Sequence, residues 1–267
     1  MTESTPPVVC CDLDGVIWRG DEPIPPAADG VARLRDAGFR VGFVSNNSSQ
    51  PVAEVADKLT RFGVPAAPAD VLTSAIAAAG LLARTLPAGA RVLACAGPGV
   101  IEALGDAGLV AVKELPADAV VVGFHRDFDY HELDVASAAV RGGAQFVATN
   151  LDATYPMPGG AMLPGTGAIT AAVATAGGRP PVVAGKPEAP TVALVRERFG
   201  THGVVVGDRP SSDGALAEAL GWPFALVLSG VTAAVAPPGG EAIPSPPPPY
   251  VGADLGDLAP ALVAGLR

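Results

Sequence analysis

The stretch Val8-Val9-Cys10-Cys11-Asp12-Leu13-Asp14-Gly15 decides the fold class, because four apolar residues lead directly into two carboxylates and a glycine. A short, continuous apolar run is typical of a strand that is covered on both faces. At strand spacing, Asp12 and Asp14 point to the same side, where they would repel one another by roughly 4 kcal/mol at ~4 Å and an effective dielectric constant of about 20. A hard divalent cation would offset this repulsion. The alternative is a strand that ends in an Asx turn with solvated aspartates.

The same pattern of an apolar run, a polar or glycine-rich turn and an Ala/Leu-rich amphipathic stretch recurs along the chain. Apolar runs lie at 8–11, 40–44, 91–95, 119–122, 145–148, 181–184, 203–206 and 224–228. Helix-like stretches lie at 27–37, 51–62, 76–85, 100–107, 130–141, 168–176, 189–199 and 213–219. This alternation predicts an α/β fold with a doubly wound, largely parallel sheet.

Four of these runs end in polar side chains, with Asp12 and Ser45 early in the chain and Lys186 and Asp208 late. In open α/β sheets, ligands bind at the carboxyl ends of the strands. If the early and the late residues form one site, the middle of the chain is an insertion. We expect this insertion to form a smaller α/β cap domain. The predicted segments are a core at 1–74 and 183–267 and the inserted cap at 75–182.

The other strand ends indicate phosphate and metal chemistry. Ser45 and Asn46 begin a run of small polar residues before a predicted helix, a setting that suits anionic oxygens but also a plain N-cap. Lys186 is one of only three lysines beside 14 arginines and stands between Gly and Pro, which indicates a compact positive charge or a surface lysine. Asp208 follows a third apolar run, and Asp213 either caps the next helix or supports a metal. A divalent cation together with Lys186 would supply the positive charge that lets a phosphate dianion approach the four aspartates, and Mg²⁺ fits such a site.

Composition excludes several other functions. The 267 residues carry 17 basic and 27 acidic side chains, so the net charge of -10 speaks against nucleic acid and against an anionic membrane surface as partners. Three cysteines without metal-ligand spacing speak against a disulfide framework or a zinc site. With no signal peptide pattern at the N-terminus, we expect a cytoplasmic protein. The Pro-rich segment 237–249 is predicted to form an exposed loop. The sequence does not decide between a monomer and a homodimer.

The motifs DLDGVIWRGDEPIP, FVSNNSSQ, AGKP and VVVGDRPSSD occur in this order, and together they resemble the haloacid dehalogenase-like hydrolase superfamily. The match is closest to its NagD and p-nitrophenylphosphatase branch, and it extends over nearly the whole chain. The resemblance implies that Asp12 is the nucleophile and that Asp14 is the general acid and base, with its backbone carbonyl also on the metal. It further implies that Asp208 is a Mg²⁺ ligand and that Asp213 positions the metal. The residues that it implies for phosphate binding are Ser45, Asn46 and Lys186.

Some residues depart from the family pattern. Ser45 stands where the family often has Thr, and Pro210 removes a backbone donor, which could alter the loop around Asp213. His125 replaces an aspartate that is common in the family, so that it either contacts substrate or lies on a polar loop. The resemblance also directs the segment around 150–155 toward the active site, with candidate specificity residues Asn150, Asp152 and Tyr155.

The predicted function is Mg²⁺-dependent hydrolysis of small organic phosphomonoesters through an aspartyl-phosphate. By resemblance, glycerol phosphate, phosphoglycolate, pyridoxal phosphate, nucleoside monophosphates and sugar phosphates are the candidate substrates. One alternative is a signalling receiver, which also forms a phospho-Asp but lacks an inserted domain. Another is a non-catalytic sensor of a phosphorylated ligand, although every expected catalytic group is present.

Overall fold

The computed structural model describes residues 7–156, 162–233 and 240–266. Its strands are β1 (Val8–Cys11), β2 (Trp18–Arg19), β3 (Glu22–Pro23), β4 (Arg40–Ser45), β5 (Val71–Thr73), β6 (Arg91–Cys95), β7 (Val110–Val112), β8 (Ala119–Val122), β9 (Gln145–Ala148), β10 (Thr154–Pro156), β11 (Met162–Pro164), β12 (Val182–Val183), β13 (Gly203–Gly207), β14 (Phe224–Val227), β15 (Thr232–Ala233), β16 (Glu241–Ala242) and β17 (Tyr250–Gly252). Its α-helices are α1 (Pro25–Asp36), α2 (Val52–Arg61), α3 (Ser74–Ala83), α4 (Pro98–Asp106), α5 (Tyr130–Arg141), α6 (Thr166–Gly177), α7 (Ala189–Phe199), α8 (Ala215–Leu220) and α9 (Leu255–Gly265). A 3₁₀ turn covers Pro68–Asp70, and a π-helical turn covers Pro210–Gly214.

The chain forms two compact units. The first contains residues 1–45, 55–72 and 192–267, and the second contains 46–54 and 73–191. The residues of the predicted insertion, 75–182, fall within the range 73–191 of the second unit.

The first unit is built on a six-stranded sheet in the order β17-β14-β13-β1-β4-β5. Strand β1 lies between β13 and β4 and runs parallel to both, so that Cys11 is level with Val206 on one side and with Phe43 on the other. All four residues of β1 are buried, which explains the continuous apolar run that predicts it. This arrangement, together with that of the second unit, confirms the predicted α/β class.

Helices α1 and α9 pack closely in the first unit because α1 presents a glycine to its neighbour. A Cβ atom at Gly30 would lie 2.7 Å from the Leu255 backbone oxygen. The absence of a side chain there lets the helix backbones approach, and Leu34, Leu258 and Leu262 fill the buried space nearby with less than 3 % exposure each.

The second unit has its own five-stranded sheet in the order β12-β9-β8-β6-β7, in which neighbouring strands run parallel. Strand β8 is fully buried. Its core includes Leu93, Val120, Val122, Val140, Phe146 and Val173. An antiparallel pair, β10 with β11, follows the β9 strand.

The apolar run at 181–184 forms β12, which pairs with β9 in the sheet of the second unit rather than with a strand of the first. The last predicted strand, near Tyr250, is present as β17. In the Pro-rich segment, 237–239 lie outside the described residues, and 240–249 carry half-buried and exposed side chains and include β16. Within the described ranges, no helix has the length and apolar character needed to cross a membrane.

Candidate active site

Three aspartates meet at the carboxyl end of the first unit's sheet. Asp12 follows β1 and Asp208 follows β13, and these strands are parallel neighbours. The Asp12 backbone N–H donates to the Val206 carbonyl at 2.8 Å, which continues the β1–β13 pairing by one residue. Carboxylate oxygens of Asp12, Asp208 and Asp213 all lie within 4.8 Å of one another. The parallel pairing therefore brings together residues from opposite ends of the chain.

The surroundings of Asp208 shift the pKa of its carboxyl group. It is 4 % exposed, and burial raises its pKa well above the ordinary value, with the negative charges of Asp12 and Asp213 raising it further. The Val231 backbone N–H donates to Asp208 Oδ2 at 2.6 Å and opposes part of this shift. Such a carboxylate is stabilised in its charged form when a cation binds beside it.

Asp213 reaches the cluster from the π-helical turn and is fully buried. The Arg209 backbone N–H donates to Asp213 Oδ2 at 3.1 Å, and the Asp213 N–H donates back to the Arg209 carbonyl at 2.8 Å. Pro210 opens this turn, where a backbone N–H would lack an intrahelical acceptor in any case. The loop therefore accepts Pro210 while it holds Asp213 inside.

Two glycines make room for the Asp208 carboxyl group. A Cβ atom at either Gly15 or Gly230 would overlap Asp208 Oδ2. Gly15 also has φ +83°, which side chains rarely adopt, and its carbonyl accepts from the Ser229 hydroxyl at 2.6 Å. Three clustered carboxylates in such a cradle form a donor set that suits a hard divalent cation such as Mg²⁺.

Asp14 lies in the tight loop after β1 and is half-buried. Its Oδ1 accepts from Trp18 Nε1 at 3.1 Å. The loop is closed by the Trp18 carbonyl, which accepts from the Gly15 N–H at 2.7 Å, and by the Leu13 carbonyl, which accepts from the Ile17 N–H at 2.8 Å. Sequence reasoning passed over Trp18, although its spacing of four residues from Asp14 was visible.

The predicted phosphate-binding residues divide between the two units. Ser45 ends β4 in the first unit and is buried. Asn46 and Lys186 belong to the second unit, where the Asn46 side chain accepts from the Lys186 N–H at 2.8 Å and donates to the Lys186 carbonyl at 3.3 Å. This two-point contact fixes the Lys186 backbone, and the Lys186 residue is only 6 % exposed. The structure thus pairs two of the predicted residues directly.

Three of the predicted specificity residues lie after β9. Asn150 is buried and uses its amide for structure, since Nδ2 donates to the Asn46 carbonyl at 2.7 Å and Oδ1 accepts from the Asp152 N–H at 3.0 Å. Asp152 is half-buried. Tyr155 stacks on Phe124 with ring centroids 4.9 Å apart and an interplanar angle of 22°. Phe124 is a partner that the sequence did not single out.

His125, the fourth specificity candidate, has both ring nitrogens engaged within the second unit. Nδ1 lies 3.0 Å from the Gly123 carbonyl, and Nε2 lies 2.6 Å from Glu132 Oε2. Lys113 Nζ lies 2.9 Å from the other Glu132 oxygen. Cys95 completes this buried group, and burial raises the pKa of its thiol to about 12. These contacts describe a structural ion-pair network around a neutral thiol, and they favour the structural interpretation of His125.

Comparison with known proteins matches this arrangement to one family. A family model described as haloacid dehalogenase-like hydrolase matches residues 9–110, and a second model of HAD-like hydrolases matches 183–258. D-glycerol 3-phosphate phosphatase of Mycobacterium tuberculosis is 40% identical over 255 residues, which cover 92% of this chain and 69% of that protein. The chain belongs to the haloacid dehalogenase-like hydrolase family.

Solved structures place this haloacid dehalogenase-like hydrolase in the NagD-like branch, as the motifs predicted. A p-nitrophenyl phosphatase from Archaeoglobus fulgidus is 32% identical with a TM-score of 0.84, and the match covers 97% of this chain and 100% of that one. A glycerol phosphate phosphatase from M. tuberculosis, solved in complex with magnesium, is 37% identical with a TM-score of 0.83, over 94% of this chain and 76% of that one.

Proposed function

We propose that this haloacid dehalogenase-like hydrolase is a Mg²⁺-dependent phosphatase of small organic phosphomonoesters. The candidate substrates are glycerol phosphate, phosphoglycolate, sugar phosphates, pyridoxal phosphate and nucleoside monophosphates. The observation that carries the proposal is the cluster of Asp12, Asp208 and Asp213 within 4.8 Å. The phosphatase names of the similar proteins support the same activity.

In this proposal, Asp12, Asp208 and the backbone carbonyl of Asp14 would hold Mg²⁺, and Asp213 would position it. When bound, the ion neutralises charge on these carboxylates and on the phosphoryl oxygens. Ser45, Asn46 and Lys186 bind the remaining phosphoryl oxygens, where the Lys186 ammonium contributes a point charge.

The chemistry then needs only two side chains. The Asp12 carboxylate attacks phosphorus, and the bond between phosphorus and the ester oxygen breaks to leave an aspartyl-phosphate. Asp14 gives its proton to the departing oxygen. Asp14 next takes a proton from water, whose oxygen attacks the phosphorus of the aspartyl-phosphate and restores the Asp12 carboxylate. Phosphate leaves, and no further reactant is required.

We further propose that the second unit selects the leaving group. The stacked pair of Tyr155 and Phe124 offers an aromatic surface, and Asp152 offers a half-buried carboxylate. Asn150 and His125 act through the loops that they hold. We also propose a cytoplasmic location, in line with the three free cysteines, with a small phosphate ester as the partner.

The test is phosphate release from a panel of phosphomonoesters, with Mg²⁺ or with excess chelator, by the wild-type chain and by Asp12→Asn. We expect activity only with Mg²⁺, and a loss of more than about 100-fold in the variant, because an amide is a poor nucleophile toward phosphorus. Circular dichroism confirms that the variant is folded. Full activity in excess chelator, or more than about a tenth of wild-type kcat in the folded Asp12→Asn variant, would contradict the mechanism.

The same assay separates the phosphatase from the receiver alternative. Rapid quenching should give an acid-stable but hydroxylamine-labile phosphoryl group on Asp12, and this species should turn over as fast as phosphate is released. A phospho-enzyme that outlives the turnover time would point to a receiver.

A further inference from the structure

The side chain of Trp18 donates a hydrogen bond to Asp14, the proposed general acid and base. Its indole Nε1 donates to Asp14 Oδ1 at 3.1 Å, and the tryptophan is only 4 % exposed. The Trp18 carbonyl accepts from the Gly15 N–H at 2.7 Å, and the Trp18 N–H donates to the Leu13 carbonyl at 3.2 Å. Backbone and side chain of Trp18 therefore both hold the loop that carries Asp14.

The indole ring is itself held by two neighbours from α2 and the residue after it. Lys58 Nζ lies 4.6 Å from the centroid of the Trp18 ring, and Phe62 packs against this ring edge-on with centroids 5.9 Å apart. Lys58 is anchored in turn, because Nζ donates to the Gly20 carbonyl at 2.7 Å and lies 3.3 Å from Asp21 Oδ1. Its side chain is 12% exposed, so the ammonium group is largely shielded from water.

An indole N–H can only donate a hydrogen bond. Asp14 Oδ1, which accepts from it, is therefore held toward the ring. A cation above the ring withdraws electron density from the indole and strengthens this N–H as a donor. The contact therefore fixes the rotation of the Asp14 carboxyl group.

We propose that Trp18 is a positioning residue for the general acid and base Asp14, and that Lys58 acts through Trp18 by holding and polarising its ring. This inference rests on the proposed phosphatase function. Its consequence is that Trp18 matters most when the leaving group needs a proton. An alkyl phosphate expels a strongly basic alkoxide, whereas an activated aryl phosphate expels a stable phenolate and depends little on Asp14.

The kinetic test compares Trp18→Phe with Trp222→Phe on glycerol phosphate and on p-nitrophenyl phosphate. Trp222 is the matched control, because it is the other tryptophan of the chain, is 7% exposed and donates its Nε1 to the Thr201 carbonyl at 2.8 Å. We expect Trp18→Phe to lower kcat for the alkyl ester about 10- to 100-fold, with KM and the aryl ester changed by less than about threefold. Trp222→Phe should leave the ratio of the two kcat values unchanged.

Lys58→Met provides the second variant, which removes the charge but keeps the length of the side chain. We expect a smaller loss, about threefold, confined to the alkyl ester, and no additional loss when Lys58→Met is combined with Trp18→Phe. Additive losses in the double variant would show that Lys58 does not act through Trp18. A fall of equal size for both esters in Trp18→Phe would show that Trp18 only supports the fold, and would overturn the proposal.

A measurement without turnover keeps the contact separate from the proposed function. The two indole N–H groups give two resonances in a ¹H–¹⁵N spectrum, which the two Trp→Phe variants assign. In Asp14→Ala, the Trp18 resonance should move to lower frequency because its acceptor is lost, while the Trp222 resonance stays in place. A Trp18 resonance that does not move would overturn the contact. Absence of phosphatase activity in the wild-type chain would instead refute the proposed function, whatever the spectrum shows.

Discussion

Asp208, a proposed metal ligand, lowers the stability of the metal-free fold when its carboxyl group is charged. It is buried beside Asp12 and Asp213, and burial followed by these two charges raises its pKa well above 3.8. The folded chain therefore holds a proton on Asp208 more readily than the unfolded chain does. Above pH 3.8, the carboxyl group loses its proton more readily in the unfolded chain than in the folded chain. The contribution of Asp208 to the free energy of unfolding therefore falls as pH rises.

We therefore predict that Asp208→Asn melts at a higher temperature than the wild-type chain in excess chelator, by about 2–4 °C at pH 8. The gain should be smaller at pH 5, where the wild-type carboxyl group more often keeps its proton. The same variant should lose Mg²⁺-dependent activity. Thermal unfolding at both pH values is the measurement. A lower melting temperature for the variant at pH 8, or a gain that shrinks as pH rises, would contradict the prediction.

At the scale of one element, the start of α5 depends on an ion-pair network rather than on apolar packing alone. Asp129 caps the helix by accepting from the Glu132 N–H at 2.8 Å. The Glu132 side chain contacts His125 and Lys113, and it is 21% exposed. Removing the Glu132 charge takes the carboxylate partner from Lys113 and weakens the contact with the largely buried His125 ring.

We predict that Glu132→Gln lowers the free energy of unfolding by about 2 kcal/mol, less than for a fully buried pair. Glu114→Gln, at an exposed position of the same unit, is the control and should change it by less than about 0.5 kcal/mol. Urea denaturation gives the values, and hydrogen exchange should show faster exchange at the start of α5. Equal effects of the two changes would mean that the network adds little to stability.

At the scale of the whole molecule, the acidic residues and the candidate specificity residues belong to different units. The acidic cluster and Asp14 lie in the first unit, whereas Tyr155 and the residues around it lie in the second. The proposed division of labour predicts that the segment after β9, with Asp152 and Tyr155, changes which ester is preferred and leaves the chemical step in place.

We predict that Tyr155→Ala lowers kcat/KM for the best natural ester by about tenfold or more, while p-nitrophenyl phosphate changes by less than about threefold. Asp152→Asn should likewise shift the order of substrates. The matched control is Tyr130→Ala, because Tyr130 is 84% exposed on α5 and should affect neither substrate. A parallel fall of more than about 100-fold for both esters at positions 152 and 155 would show that this segment takes part in the chemistry.

The sequence by itself determined the fold class, since each parallel strand is covered on both faces and so appears as a continuous apolar run such as 8–11 or 119–122. It also determined the set of candidate residues, since polar groups directly after such runs fall at the carboxyl ends of strands. Asp12 and Asp208 could be assigned to one site because ligands bind at the carboxyl ends of strands in open α/β sheets, and the structure shows that β1 and β13 are neighbours.

Only the tertiary structure decided what surrounds these residues. The two valines of β12 would suit a strand in either sheet. Only their pairing with β9 shows that they belong to the second unit. The ammonium of Lys58 reaches the Trp18 ring only when α2 packs beside the β1 loop, and burial rather than residue type sets the pKa of Asp208. Such properties depend on contacts between residues far apart in sequence, and a local pattern of side chains carries no information about those contacts.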